Sequence, residues 1–262
     1  MIPHWAEQRA ALQHWLATHP RILIGSDFDG TLSMLRPHAD EACLPDHTRD
    51  ILRCLAELPG ITLAFISGRS LQDLRQRVGI KGAFYAGNHG LEMTELGSEQ
   101  IRLAPTAEQA VAALRCLRTQ LEAQLAHLTG VWVEDKLHTL SVHYRQAAAD
   151  CHSEVEAIVR RLVRETPALI IRPAKRIWEV RPAIDWDKGS ALRAFLRAAD
   201  LPTAAAAFLG DDISDGDAFR EIPDGWSFAV GSESGPGARL HVRDPQDSAD
   251  LLDWIARTRS AL

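Results

Sequence analysis

The sequence predicts an α/β protein, in which a doubly wound, mostly parallel sheet of the Rossmann-like kind is interrupted by a smaller inserted α+β unit. Short apolar runs typical of buried parallel strands alternate with amphipathic helical segments over the first 103 residues. Between residues 104 and 183 adjacent strands follow one another directly, and the alternation returns afterwards. We therefore predict one domain formed by residues 1–103 and 184–262, and an inserted domain formed by residues 104–183.

The first part of the chain is predicted to contain three strands separated by helices. An amphipathic helix over residues 4–18 precedes the first strand and ends near Pro20. The strands are predicted in RILIGSDF, ITLAFISGRS and GAFYAGNHGLEM, and the intervening helices in PDHTRDILRCLAELPG and LQDLRQRVG. Ligands of such a sheet bind at the carboxyl ends of its strands, which is where we expect a site.

The middle of the chain has a different pattern. A long helix is predicted over residues 106–128, and another in CHSEVEAIVRRLVRET. Two strands around a turn are predicted in VWVEDKLHTLSVHYR, and two more in ALIIRPAKRIWEVRP. The helix DWDKGSALRAFLRAAD and the strands AAAAFLGDD and WSFAVG then return to the first pattern.

Composition and charge exclude several classes of protein. With 46% hydrophobic and 24% charged residues, the chain of 262 residues is neither disordered nor membrane-spanning. A formal charge of −6 argues against nucleic-acid binding, which needs a basic face. The first 20 residues lack the pattern of a signal peptide, and the four cysteines suggest neither a zinc site nor disulfides. We expect a cytoplasmic monomer that binds neither nucleic acid nor membrane.

The end of the first predicted strand carries two carboxylates, Asp27 and Asp29. Residues two apart point to the same side of a strand, so the two acids can converge on one site. Gly30 allows a sharp turn, and the Thr31 hydroxyl can bind an anion or cap the turn. Two adjacent carboxylates repel unless a cation compensates, and a hard divalent ion such as Mg²⁺ prefers oxygen ligands. The alternative is an ordinary polar turn.

Polar groups also end two other predicted strands, and a lysine begins a later helix. Asp211 and Asp212 follow one strand, with Asp215 on the next turn. Another strand ends in Ser67, Gly68 and Arg69, which can also be a simple helix cap, itself an anion-friendly place. Lys188 lies at a helix start, where a lysine is unfavourable unless an anion joins it. Together these groups predict an acidic metal site beside a phosphate site.

The order D-x-D-G-T, S-G-R, K-G and G-D-D-x-x-D resembles the haloacid dehalogenase superfamily of phosphotransferases. More narrowly, GNHGLE at 87–92, EDK at 134–136, HYR at 143–145 and EVRP at 179–182 resemble trehalose-6-phosphate phosphatases. The resemblance covers essentially the whole chain. It implies a hydrolase core with the inserted unit as an α/β cap. Gly216 departs from the family, which usually has an acidic residue there.

The resemblance implies an aspartyl-phosphate mechanism. Asp27 would attack phosphorus, and Asp29 would protonate the leaving sugar oxygen and then activate water. Ser67 and Lys188 would hold the phosphoryl oxygens. The resemblance also implies Mg²⁺ as cofactor, held by Asp27, the main-chain carbonyl of Asp29 and Asp211, with Asp212 and Asp215 orienting the metal or its waters.

The expected activity is hydrolysis of trehalose 6-phosphate to trehalose and phosphate, which is the reaction of a phosphoric monoester hydrolase. The residues expected to bind the substrate come from the core motifs and from the cap: Gly30, Thr31, Gly68, Arg69, Asn88, His89, Glu134, Lys136 and Glu179. The charges on VEDK are equally typical of a solvated strand face. The alternatives are a phosphatase for sucrose, mannosylglycerate or glucosylglycerate phosphate, a phosphomutase, and a non-catalytic protein that binds sugar phosphates.

Overall fold

The computed structural model describes residues 2–36, 39–96, 98, 100–174, 176–231 and 237–262. The chain divides into two compact units. The first comprises residues 1–102 and 186–262, and the second comprises residues 103–185.

Strands and helices are numbered here along the whole chain, through both units. The strands are β1 Ile22–Ser26, β2 Ile61–Ile66, β3 Phe84–Gly87, β4 Glu92–Thr94, β5 Ile101–Leu103, β6 Trp132–Asp135, β7 Leu140–His143, β8 Leu169–Ala174, β9 Ile177–Pro182, β10 Ala206–Gly210, β11 Trp226–Val230 and β12 Leu240–Val242. The α-helices are α1 Arg9–Thr18, α2 Asp46–Glu57, α3 Leu71–Val78, α4 Val111–Leu125, α5 His152–Arg164, α6 Lys188–Ala198, α7 Asp215–Glu221 and α8 Pro245–Ser260.

The first unit is built on a sheet of order β12-β11-β10-β1-β2-β3-β4-β5. The pairs from β12 to β3 are parallel, whereas β4 pairs antiparallel with β3. Because β1, β2 and β10 are parallel neighbours, their carboxyl ends meet at one edge of the sheet.

Two apolar cores cover the two faces of this sheet, because successive strand residues point to opposite sides. In β1, Ile22 and Ile24 belong to a core with α1, α2, α3 and α8. Leu23 belongs to the other core, with α6 and α7. Helices on both faces of a mostly parallel sheet confirm the predicted doubly wound α/β class.

The second unit has a four-stranded antiparallel sheet of order β6-β7-β9-β8. Alternate strand residues such as Leu140, Val142 and Val180 pack against apolar residues of α4 and α5. The opposite face carries the polar residues that alternate with them, among them Ser141 and Glu179. This arrangement agrees with the predicted α+β character.

Sequence patterns placed the second unit's elements closely but merged some boundaries. The helix predicted over residues 106–128 is a 3-10 turn at Ala107–Ala110 followed by α4. In the first unit, Trp5–Gln8 likewise form a 3-10 turn before α1.

In the part of the chain that the structure describes, no helix combines the length and apolarity that crossing a bilayer requires.

Candidate active site

Asp27 follows directly on the buried strand β1. Its backbone N–H donates to the carbonyl of Leu209 on β10 at 2.9 Å, so the strand pairing continues to this residue. The side chain is 8% exposed. Its Oδ1 accepts a hydrogen bond of 2.7 Å from the N–H of Phe28, and its Oδ2 lies 2.9 Å from Nζ of Lys188. Both oxygens are therefore held, and the carboxylate has a fixed orientation.

Lys188 joins Asp27 to Asp215. Its Nζ lies 2.9 Å from Asp27 and 2.7 Å from Asp215, and all three side chains are buried. The lysine is the first residue of α6, where the N-cap Asp187 accepts a hydrogen bond from the N–H of Ser190. Two carboxylates and one ammonium leave a net negative charge, which favours a further cation nearby.

Burial shifts the pKa values of the two acids and of the lysine in opposite directions. Burial raises the pKa of the Asp27 and Asp215 carboxyls, and the Lys188 ammonium opposes that rise. Burial alone would lower the pKa of Lys188, but the two carboxylates outweigh it and hold that pKa above its ordinary value. The lysine therefore stays charged and keeps Asp27 closer to the carboxylate form than burial alone would.

Asp211 adds a third carboxylate at the end of β10. Oxygens of Asp27, Asp211 and Asp215 lie within 4.8 Å of one another. A Cβ added to Gly30, whose φ is +80°, would lie 2.1 Å from Oδ2 of Asp211, so this approach of the loop to the carboxylate requires glycine. The Thr31 hydroxyl is 3.4 Å from Oδ1 of the same carboxylate. An all-oxygen donor set of this kind fits a hard divalent cation.

Asp212 and Asp215 differ in their environments. Asp215 is fully buried, and its Oδ2 accepts a 2.9 Å hydrogen bond from the N–H of Asp212 while its Oδ1 binds Lys188. The side chain of Asp212 accepts a hydrogen bond from the N–H of Ile213. Asp215 thus fixes both the lysine and the loop that carries Asp211. Gly216, at the position where the family usually has an acid, is a buried residue of α7.

Asp29 is held by Arg69 rather than by the lysine. Nε and Nη2 of Arg69 donate to its two carboxylate oxygens at 2.6 and 2.7 Å. Nη1 of the same guanidinium donates to Asp73, which in turn binds Arg77. Asp73 and Arg77 are site-supporting residues that the sequence analysis missed. Their signal was the repeated spacing of four, 69–73–77, which brings opposite charges together across the start of α3.

Ser67, Gly68, Asn88 and His89 form a compact corner at the ends of β2 and β3. The Ser67 carbonyl accepts a 2.9 Å hydrogen bond from the N–H of His89, and its buried hydroxyl accepts a 3.3 Å bond from the N–H of Arg69. A Cβ on Gly68 would lie 2.7 Å from the imidazole of His89, so a side chain there would have to displace that ring. The Asn88 amide donates to Glu92 at 3.1 Å and is fully buried.

The predicted cap residues lie together on the polar face of the second unit's sheet. Nζ of Lys136 is 3.3 Å from Glu179 and 3.7 Å from Glu134. The Ser141 hydroxyl donates to Glu179 at 2.7 Å. Glu179 is buried, and Lys136 and Glu134 are partly buried. This group is a linked polar cluster and not a solvated row of charges.

The order and spacing of these groups agree with a known family. A family model described as trehalose-phosphatase matches residues 26–237, which include every predicted site residue. The chain belongs to the trehalose-phosphatase family. Membership implies a metal cofactor, and the Asp27, Asp211 and Asp215 group is able to hold one.

Two curated relatives in this family are mycobacterial trehalose-phosphate phosphatases. The protein of Mycobacterium marinum is 36% identical over 254 residues, which are 94% of this chain and 63% of the relative. The protein of Mycobacterium bovis is 36% identical over 241 residues, 88% of this chain and 60% of the relative. The chain therefore spans about three fifths of the length of these relatives.

Solved structures of the family share the fold. The C-terminal domain of Candida albicans trehalose-6-phosphate phosphatase superposes with a TM-score of 0.85 at 22% identity, covering 98% of this chain and 99% of that domain. Aspergillus fumigatus trehalose-6-phosphate phosphatase superposes with a TM-score of 0.69 at 22% identity and full coverage of both chains. At these identities the likeness supports the fold class.

Proposed function

We propose that this chain hydrolyses trehalose 6-phosphate to trehalose and inorganic phosphate in a Mg²⁺-dependent reaction. The observation that carries the proposal is the buried Asp27–Lys188–Asp215 group beside Asp211, in a member of the trehalose-phosphatase family. A fixed carboxylate next to an ammonium and further acidic ligands is the equipment that a phosphoryl transfer to aspartate needs.

Asp27 is the proposed nucleophile. Its carboxylate attacks phosphorus, the bond from phosphorus to the sugar oxygen breaks, and an acyl phosphate forms on Asp27. Water then attacks the phosphorus of this acyl phosphate, which releases inorganic phosphate and regenerates the carboxylate. Hydrogen bonds from Phe28 N–H and Lys188 support this role because they hold the carboxylate in one orientation.

Asp29 is the proposed proton carrier. It gives a proton to the departing sugar oxygen and then takes one from the attacking water. Its side chain is 32% exposed, whereas that of Asp27 is 8% exposed, which suits a group that exchanges protons. Arg69, which we now propose as a positioning residue for Asp29, holds both of its oxygens.

The phosphoryl oxygens would be bound by the Lys188 ammonium and the Ser67 hydroxyl, with Gly30, Thr31 and Gly68 shaping the loops around them. The carboxylates of Asp27 and Asp211 and the main-chain carbonyl of Asp29 would hold Mg²⁺, with Asp212 and Asp215 fixing the Asp211 loop. The bound ion supplies positive charge against the charge of the phosphate.

Sugar recognition is assigned to the polar cluster Glu134, Lys136 and Glu179, with Asn88 and His89 as further candidates. Hydroxyl groups of a sugar match such buried and partly buried polar groups, and a sugar that lacks a hydroxyl would leave one of them unsatisfied. We also propose that the chain acts as a monomer on a small sugar phosphate.

A panel of sugar phosphates tests this function. Phosphate release is measured with the 6-phosphates of trehalose, sucrose and glucose and with glucosylglycerate phosphate, each with Mg²⁺ and with excess chelator. We expect the largest kcat/KM with trehalose 6-phosphate, and no phosphate release from any substrate in excess chelator. Equal rates on all substrates would contradict the substrate assignment. Tight binding of the sugar phosphate without phosphate release would instead indicate a non-catalytic protein.

A further inference from the structure

Trp132 is an exposed tryptophan that lies outside the apolar cores. The described residues include all seven tryptophans, and Trp132 is the only exposed one, at 50%. It lies on β6, an edge strand of the second unit's sheet. Its neighbour Val133 packs against the apolar core, so the indole lies on the opposite face of the sheet.

The indole is held in one orientation by His143. The two residues are directly opposite in the β6–β7 register, and their rings stack with centroids 3.8 Å apart and planes 5° apart. Nε2 of His143 lies 2.9 Å from Oε2 of Glu134, which fixes the imidazole in turn. Because one face of the indole is covered by His143, its exposure belongs to the other face and the edges.

The groups beside this indole indicate what it binds. Glu134 is two residues along β6, and Glu179 and Lys136 complete the polar cluster. The carboxylates and the ammonium of this cluster offer hydrogen-bond acceptors and donors, which suit the hydroxyl groups of a sugar. A flat aromatic surface beside hydroxyl-binding side chains matches a pyranose ring, which has an apolar C–H face and a rim of hydroxyls.

We propose that Trp132, stacked on His143, is a platform for the uncharged glucose ring of the substrate. The proposal rests on the proposed function, since it names the part of that substrate which this face binds. A sugar ring that stacks on Trp132 must present an open C–H face, and this requirement adds to the hydroxyl recognition by Glu134, Lys136 and Glu179.

Steady-state kinetics with trehalose 6-phosphate test the platform. Trp132→Ala is expected to raise KM by about tenfold with little change in kcat, because stacking is lost while the reacting groups stay. Trp132→Phe keeps a ring and should raise KM by less than about threefold. The control is Ile101→Ala, an exposed apolar residue on β5, an edge strand of the other sheet, which should leave KM unchanged. Equal KM values for wild type and Trp132→Ala would overturn the proposal.

Binding of trehalose itself provides a readout that needs no turnover. Trehalose should change the intrinsic fluorescence of the wild-type chain, and the change should be absent in Trp132→Phe and retained in Trp254→Phe. A change retained in Trp132→Phe would overturn the platform. Wild-type protein that binds trehalose in this way but releases no phosphate would support the platform while refuting the proposed function.

Discussion

Arg69 grips both carboxylate oxygens of Asp29 with two hydrogen bonds of 2.6 and 2.7 Å. The same guanidinium binds Asp73 at 2.6 Å, and Asp73 is held by Arg77. The proton carrier proposed for this reaction is thus fixed by a chain of alternating charges that leads back into α3. Its position depends on the planar, forked shape of an arginine.

Arg69→Lys is expected to lower kcat by about 10- to 100-fold, with a smaller effect on KM, because one ammonium cannot hold two oxygens of Asp29 and one of Asp73 in place. Steady-state kinetics with trehalose 6-phosphate measure both constants. Arg53→Lys, which changes an exposed arginine paired with Asp50, is the control. A large rise in KM with unchanged kcat would show instead that Arg69 binds substrate directly, as the sequence first suggested.

Lys188→Met is expected to destabilise the chain by about 3–5 kcal/mol, since it leaves the buried carboxylates of Asp27 and Asp215 without their ammonium. Adding Asp215→Asn removes one of those charges and should restore part of the stability without restoring activity. Urea unfolding in the presence of chelator measures the free energy of unfolding. A double variant no more stable than Lys188→Met would contradict this account of the group.

The stability lost in Lys188→Met should depend on pH. Burial raises the pKa of Asp27 and Asp215, and the variant lacks the ammonium that opposes this rise. A carboxyl whose folded pKa exceeds its unfolded pKa stabilises the fold below the unfolded value of about 4, and this contribution is lost as pH rises through the folded value. The deficit relative to wild type should therefore grow from acid to neutral pH. Unfolding curves between these limits that show a constant deficit would refute the prediction.

Gly30→Ala should weaken metal activation. The new Cβ would meet the Asp211 carboxylate, and the left-handed backbone at φ +80° is unfavourable for alanine. We expect the Mg²⁺ concentration for half-maximal activity to rise by about 10- to 100-fold. Gly82→Ala is a matched control because Gly82 has a φ of +75° and no atom within 4 Å of an added Cβ. If the two variants respond alike, backbone strain and not displacement of Asp211 is the cause.

A second pH dependence of stability is expected at Asp247, away from the proposed site. Burial favours its neutral form, but hydrogen bonds from Arg243, His4 and Trp5 outweigh burial and hold its pKa well below the ordinary value. Its stabilising contribution is present above the ordinary carboxyl pKa and is lost as pH falls toward the folded value. Asp247→Asn should cost about 1–3 kcal/mol at neutral pH, and less in acid.

Thermal or urea unfolding of Asp247→Asn at pH 7 and at pH 3 provides the comparison. Asp250→Asn, on the same helix but exposed, should change stability little at either pH. An Asp247→Asn deficit that grows in acid would have the wrong sign for this explanation.

The sequence predicted the site best where buried strands end in polar groups. Asp27, Ser67 and Asp211 follow apolar runs whose burial admits few alternatives, and parallel pairing brings strand ends to one edge. Lys188 was predicted to need an anion at its helix start, and the structure provides Asp27 and Asp215. A single sequence was enough for these inferences because they depend only on periodicity and on the order of the motifs along the chain.

Other contacts depend on tertiary geometry that the sequence does not contain. The direction of the long Arg69 side chain toward Asp29 follows from packing. The Trp132–His143 stack depends on the hairpin register, which is set by a turn with Leu137 at φ +69°. The sequence predicted a turn in this segment, but a leucine rarely adopts that conformation, so the turn's geometry and the register it sets were not predicted. The antiparallel direction of β4 likewise follows from tertiary pairing rather than from its own residues.

The central claim is that Asp27 attacks the phosphate of trehalose 6-phosphate, and one measurement tests it directly. The rate of phosphate release with Mg²⁺ is compared between wild type and Asp27→Asn, after circular dichroism has established that both are folded. The claim predicts rapid release by wild type and a fall of roughly a thousandfold or more in the variant. An Asp27→Asn protein that keeps within about tenfold of the wild-type rate would contradict it.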